Sequence, residues 1–174
     1  MSYLIRPLLD RWRLCALAAS AAMLAIAHGF QTFGGLPPCT LCLRQREVYW
    51  CAAALALGLM IAVRVNSSRR LREASCWILG MVFLIGAGVA VYHAGAEWKF
   101  WPGPTTCASA GAGSSKVDAD AMAALLQGAK IKPPACDEAL WVFLGLSMAG
   151  WNALLSLGLA GLSVAAALRE RSKR

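Results

Sequence analysis

Four stretches of the chain stay free of Asp, Glu, Lys and Arg long enough to suggest membrane spans. Residues 14–33 form a run of twenty, with His28 and Gln31 near its far end. Residues 48–63 form a run of sixteen, short of the roughly 20 apolar residues that cross a bilayer upright. That run extends backward by a turn or more if Arg44 and Arg46 snorkel to the headgroups. Residues 74–96 are uncharged apart from His93. The last run, 139–168, is thirty residues and too long for one upright span. Its first ten residues, with Trp141, read as an interfacial approach, and the crossing as roughly 150–168. Small residues such as Gly86, Gly88, Gly158 and Gly161 suit close helix approach. The pattern predicts an all-α membrane protein, an antiparallel four-helix transmembrane bundle in a single domain over 1–174. Its spans fall at roughly 14–33, 46–64, 74–96 and 150–168.

Composition agrees. Hydrophobic residues make up 59% and charged residues 15%, against roughly 45–50% and about 25% in soluble domains. A buried soluble bundle does not account for four such runs in 174 residues. The net charge of +8 comes from small basic clusters between apolar runs. That distribution fits a membrane protein, and it is not a nucleic-acid-binding stripe interleaved with aromatics. No cleavable signal peptide is expected, because the first apolar run lacks a small-residue exit followed by a soluble domain.

Lys and Arg set the expected orientation. Arg6, Arg11 and Arg13 precede the first span. Arg64, Arg69, Arg70 and Arg72 lie between the second and third, and Arg169, Arg171, Lys173 and Arg174 follow the fourth. These regions alternate to one side, which the positive-inside rule makes the cytoplasm. Two loops then face the periplasm: a short one at roughly 34–45 and a long one at roughly 97–149.

The seven cysteines divide by this topology. Cys15, Cys51 and Cys76 lie in or beside spans and read as small buried side chains. Cys39, Cys42, Cys107 and Cys136 all lie in the outward loops, two per loop, where an oxidising compartment favours disulfides. A C-x-x-C pair alone suits either zinc or redox chemistry. Here Pro37 and Pro38 stop any preceding helix and the second span begins just after. Cys42 therefore falls in or near a first helical turn, where exposed N–H groups favour a thiolate. Arg46 lies four residues on, on the same face, and adds a cation. The second pair is separated by 28 residues. Residues 108–115 are all Ala, Ser and Gly, a flexible linker. Asp118 suits the N-cap of a short amphipathic helix over 119–127, with Met122, Leu125 and Leu126 on one face. Pro133 and Pro134 stiffen the approach to Cys136. So mobile a closing loop suits a disulfide that changes partners better than a static staple.

Three sets of residues together resemble the DsbB family. The run Pro38-Cys39-Thr40-Leu41-Cys42 with Arg46 resembles its P-C-x-L-C-x-x-x-R signature. Residues 92–97, Tyr-His-Ala-Gly-Ala-Glu, and 101–107, Trp-Pro-Gly-Pro-Thr-Thr-Cys, resemble its third-span exit and first loop cysteine. Cys136-Asp137 and the run 143–148 resemble the entry to its fourth span. The likeness covers nearly the whole chain in order. It implies an inner-membrane, quinone-dependent protein-disulfide oxidoreductase. In that scheme a periplasmic thioredoxin-fold oxidase of the DsbA type attacks Cys107, Cys136 relays to Cys39, and Cys42 passes two electrons to ubiquinone or menaquinone. Arg46 and Cys42 would contact the quinone, with His93 as a further contact, and no metal is implied. His28 reads as an interfacial residue. A metal relay on the outer cysteines, a non-catalytic subunit stapled by disulfides, and a vitamin K epoxide reductase-like enzyme are the rivals. In the last of these the C-x-x-C belongs to a late span, whereas here it precedes the second.

The topology has a direct test. Single cysteines placed at Ser2, Ser68 and Ser114 in a cysteine-free background are treated with a membrane-impermeant thiol reagent on intact spheroplasts. Only position 114 should be labelled, and labelling at 68 would end this topology.

Overall fold

The computed structural model describes residues 2–104 and 136–173. Four helices are long and apolar enough to cross a membrane. They are α2 (Trp12–Thr32), α3 (Thr40–Val65), α4 (Arg69–Glu97) and α5 (Met148–Ser172), preceded by a short α1 (Ser2–Asp10). The chain is thus a helical membrane protein with almost no sheet among the described residues. The expected amphipathic helix over 119–127 lies outside them, as does Cys107.

Helix ends follow local chemistry. Side chains of Cys39, Ser68 and Ser147 cap α3, α4 and α5 by accepting backbone N–H groups of the first turn. The Cys39 cap explains why α3 starts at Thr40, ahead of the span expected from 46. Before α5, Val142–Phe143 and Leu146–Ser147 pair as an antiparallel β1–β2 hairpin. Leu144 and Gly145 both take positive φ, 51° and 79°, as a two-residue type I′ turn requires. Within the stretch 139–148, expected as an interfacial approach, residues 142–147 fold as this hairpin, and α5 begins directly after it at Met148.

Packing is tightest between α4 and α5, and α2 and α5 scarcely touch. Gly80 faces Ser163 and Gly86 faces Val48, while Gly88, Gly158 and Gly161 face open space. Only some of the small residues thus serve helix approach. The core is built from Trp12, Ala16, Tyr49, Ala52, Leu79 and Phe83 among others. At the end carrying both termini, Asp10 accepts from Arg169 (2.9 Å) and Lys173 (2.8 Å). There Glu170 binds Arg72 at 3.1 Å and Lys173 at 2.6 Å. These pairs bring α1 and α4 to α5. Of the three cysteines read as buried, only Cys76 is so; Cys15 is half-buried and Cys51 is exposed. An outward-facing Cys51 is compatible with a lipid-facing helix surface, which needs no protein cover.

At the opposite end, Lys99 adopts positive φ (61°) and closes α4. The chain then folds Trp101 back over Gly95, with its indole Nε1 donating to the Tyr92 carbonyl at 2.9 Å. A Cβ at Gly95 would collide with that ring. Gly95→Ala should therefore displace Trp101 and cost about 1–3 kcal/mol, the usual cost of overpacking. Gly88→Ala, in open space, should cost nothing measurable. Thermal unfolding in detergent, followed by tryptophan emission, compares them. Equal midpoints would show that Trp101 is not held there.

Candidate functional site

Cys39 and Cys42 meet at the start of α3. Pro37 and Pro38 keep the chain extended, and Cys39 (φ −75°, ψ 172°) is the N-cap. Its sulfur accepts the Cys42 N–H at 3.2 Å and donates to the Cys42 sulfur at 3.1 Å. Both thiols are free. One turn of helix thus places two sulfurs side by side, with Cys42 in the first turn as expected. The Cys42 N–H itself is directed at the Cys39 sulfur. The hydrogen bond to Cys42, and after it burial, push the Cys39 thiol upward, so Cys39 keeps its proton.

His93 of α4 reaches the same sulfur. Its Nε2 lies 3.5 Å from Cys39 Sγ and 3.7 Å from Glu97 Oε1. Its Nδ1 lies 2.9 Å from Gln45 Nε2. From there a buried chain of polar groups runs into the bundle. Gln45 Oε1 accepts from Asn152 Nδ2 at 2.6 Å, and Asn152 Oδ1 accepts from Tyr49 at 2.6 Å. The Tyr49 hydroxyl also meets Ser156 Oγ at 2.8 Å. Each member answers its neighbour, as buried polar groups must. The carboxylate of Glu97 accepts from Ser147, the residue that caps α5. His28, outside this group, is 2.8 Å from the Leu24 carbonyl on its own helix.

Arg46 lies one turn beyond Cys42 on α3. Nη1 donates to Gln31 Oε1 at 2.6 Å and Nη2 to the Ala27 carbonyl at 2.9 Å, so its guanidinium is held against α2. Between the four spans is a chamber of about 300 Å³, walled by Cys39, Cys42, Arg46 and His93 on its polar side. Its apolar side includes Leu24, Phe30 and Trp141. Phe30 and Trp141 meet at 5.2 Å, and Trp141 stacks on Phe143 at 5.8 Å. The size is at the lower end for small-molecule pockets. The lining thus combines a cation, an imidazole and a thiol pair with a largely apolar surface.

Cys136 completes the arrangement from the other side. It is fully buried and packs with Cys39 and Leu41, and its sulfur lies 3.2 Å from the Thr40 hydroxyl. It is engaged in a disulfide. Asp137 beside it binds Lys99 at 2.7 Å, which holds the Asp137 carboxyl below its usual range and ties this segment to the exit of α4. Four of the six residues singled out from sequence, Cys39, Cys42, Arg46 and His93, thus line one chamber. Cys136 adjoins it, and Cys107 lies outside the described residues. Gln45, Tyr49, Asn152 and Glu97 were not anticipated. Their signal was available as polar residues within apolar spans at i, i+4 spacing: Gln45 with Tyr49, His93 with Glu97, Asn152 with Ser156. The donor atoms of Cys39, Cys42 and His93 also lie within 4.8 Å of one another, a set that could hold a metal ion.

Comparison with known proteins agrees with the geometry. No solved structure matches the chain. A disulfide bond formation protein B of Methylococcus capsulatus is 33% identical over 151 residues, covering 83% of this chain and 85% of the relative. Its namesake in Aromatoleum aromaticum is 30% identical over 141 residues, 78% of each chain. A third, from Marinobacter nauticus, is 28% identical over 88% of this chain and 89% of its own. The family model described as "Disulfide bond formation protein DsbB" matches residues 10–166. With four spans, a membrane-edge dithiol and a loop cysteine packed against it, the chain belongs to the DsbB family of disulfide bond formation proteins.

Proposed function

We propose that this protein reoxidises a soluble DsbA-like thioredoxin-fold dithiol oxidase on the periplasmic side of the bacterial inner membrane, and passes the electrons to a membrane quinone, ubiquinone or menaquinone. The observation that carries this reading is the position of the Cys39–Cys42 pair. Its sulfurs are 3.1 Å apart, in the wall of an apolar chamber at the end of membrane helices, with the Cys136 sulfur packed behind them.

The division of labour follows from access. The partner's thiolate attacks Cys107, the loop sulfur. This frees Cys136, which attacks Cys39 while Cys39 and Cys42 are joined as a disulfide and so releases Cys42 as the thiolate. It needs little travel because Cys136 already packs against Cys39. Each exchange passes through a mixed disulfide. The partner's second thiol takes the partner off Cys107, and Cys107 re-forms its bond to Cys136, which releases Cys39 as a thiol. Cys42 carries the electron pair at the chamber wall, and Cys39 closes onto it as that pair passes to the acceptor. The chamber fits a quinone head group by its chemistry: apolar and aromatic faces, with the Arg46 guanidinium and His93 at its polar side. When bound, a quinone supplies an acceptor for two electrons and two protons. Arg46 is fixed by Gln31 and Ala27, so it is oriented before any ligand arrives.

A metal site built on Cys39, Cys42 and His93 is the second reading, favoured by their mutual proximity. The sulfur spacing opposes it. Two thiolates on a tetrahedral zinc at 2.3 Å are roughly 3.8 Å apart, wider than the 3.1 Å found.

Two experiments test the proposal. Arg46→Ala should raise the quinone concentration needed for half-maximal turnover by roughly ten- to hundredfold, since a charge-assisted contact contributes about 1.5–3 kcal/mol. An unchanged value removes Arg46 from the site. For the thiol route, oxidised protein is mixed with a reduced partner oxidase lacking its resolving cysteine, then digested without reduction. The joined peptide should contain Cys107. A cross-link mainly on Cys39 or Cys42 would mean the partner reaches the membrane-edge pair directly. Metal analysis of the reduced protein, expected to find less than stoichiometric zinc, separates the two readings.

A further inference from the structure

Closing a disulfide between Cys39 and Cys42 removes two electrons and two protons from the two thiols. The sulfur–sulfur bond forms as the Cys39 S–H bond breaks, and the electron pair leaves through Cys42 to the quinone, whose reduction to quinol takes up both protons. Cys39 is 3% exposed, so its proton cannot leave directly to water. Its near basic neighbour is His93 Nε2, at 3.5 Å. Beyond that nitrogen, 3.7 Å on, is Glu97 Oε1. The Glu97 side chain is itself only 6% exposed and borders the same chamber.

We propose that Glu97 is the positioning residue of this proton transfer: it holds His93 against Cys39, stabilises the imidazolium formed when His93 takes the Cys39 proton, and keeps that proton beside the chamber. Two features of the network fit this role. First, the chain from Ser156 through Tyr49, Asn152 and Gln45 to His93 closes in either direction. In one direction Gln45 donates to Nδ1, which leaves the proton on Nε2. Turning the two amides of Gln45 and Asn152 over reverses every bond, leaving Nδ1 a donor and Nε2 a free base toward Cys39. Second, a carboxylate at the end of a span is costly to bury without a partner. Glu97 has Ser147 on one oxygen and His93 facing the other. Ser147 is also the cap of α5, so the carboxylate is fixed by a helix start instead of by a mobile loop.

The inference rests on the proposed quinone-coupled reaction, and its test separates the two. Wild-type protein is first shown to oxidise a dithiol partner with quinone; failure there removes the function itself. Glu97→Gln keeps the shape and an acceptor for Ser147 but removes the charge. With quinone varied, kcat should fall by about a hundredfold, the lower range for a lost acid–base contribution, while KM stays within about twofold. Glu97→Asp should recover a substantial part of kcat. A second readout needs no quinone. In a Cys42→Ala background the Cys39 thiol is alkylated at a rate set by its ionised fraction, and adding Glu97→Gln should slow it about tenfold, the scale of one charge-assisted contact. A kcat and an alkylation rate unchanged by Glu97→Gln would overturn the assignment. So would a rise confined to KM, which would make Glu97 a wall of the chamber only. If Glu97→Gln fails to fold, infrared difference spectra of oxidised against reduced wild-type protein decide, with selective isotope labelling of glutamate. A glutamate carboxyl band that changes with redox state supports the role, and no such change sinks it.

Discussion

The sulfur of Cys39 is the point on which the site's geometry depends. It caps α3, so the helix begins where it does because this side chain accepts the Cys42 N–H. It bonds to Cys42, meets His93 and packs against Cys136. A serine could cap the helix equally well, but it could not join a neighbouring sulfur. One atom therefore answers a local need, an orphan N–H at a helix end, and a chemical one, exchange with sulfurs on either side. Its hydrogen bond to Cys42, and after it burial, hold the proton on Cys39, which leaves Cys42, nearer Arg46 along the helix, as the sulfur better placed to carry charge at the chamber wall.

A second constraint shapes the bundle around that sulfur. Polar groups in the membrane interior must find partners within the protein. Gln45, Tyr49, Asn152 and Ser156 do so by pairing across α3 and α5, and His93 joins α4 to the same chain. The polar core and the close packing of α4 on α5 fix three helices against one another. The fourth, α2, is joined to α3 near the chamber by Arg46 through Gln31 and Ala27 and scarcely meets α5. The space this leaves is the chamber.

Much of this was legible in the sequence. Runs free of charge gave the four spans, since hydrocarbon excludes charge. Two prolines before a C-x-x-C located a helix start, and the i+4 spacing put Arg46 one turn from Cys42. The hairpin before α5 was hidden because Val142, Phe143 and Leu144 are as apolar as a helix entering a membrane. Only the positive φ at Leu144 and Gly145 distinguishes it. The α1 helix was hidden by its shortness and by Pro7. Gln45 sits among the charges of Arg44, Arg46 and Glu47 and looks like part of a helix entrance, while Asn152 looks like an isolated blemish in an apolar run. Their meaning appears only when two helices far apart in sequence face each other. Close contact between Cys136 and Cys39 likewise depends on how the long loop closes, and composition says nothing of that.

Closure of that loop also bears on how the two cysteine pairs communicate. Cys136 lies in the segment between α4 and α5, far in sequence from Cys39, so without a tether it would spend little time near that sulfur. The Lys99–Asp137 ion pair and the Thr40 contact shorten that search. They hold the Cys136 end of the loop against the start of α3 and the exit of α4. A surface ion pair is weak in itself, yet a tether needs only to bias position. With Cys136 already packed on Cys39, exchange between the pairs is intramolecular and gains from proximity. The demanding step in the proposed relay then becomes the encounter with the soluble partner.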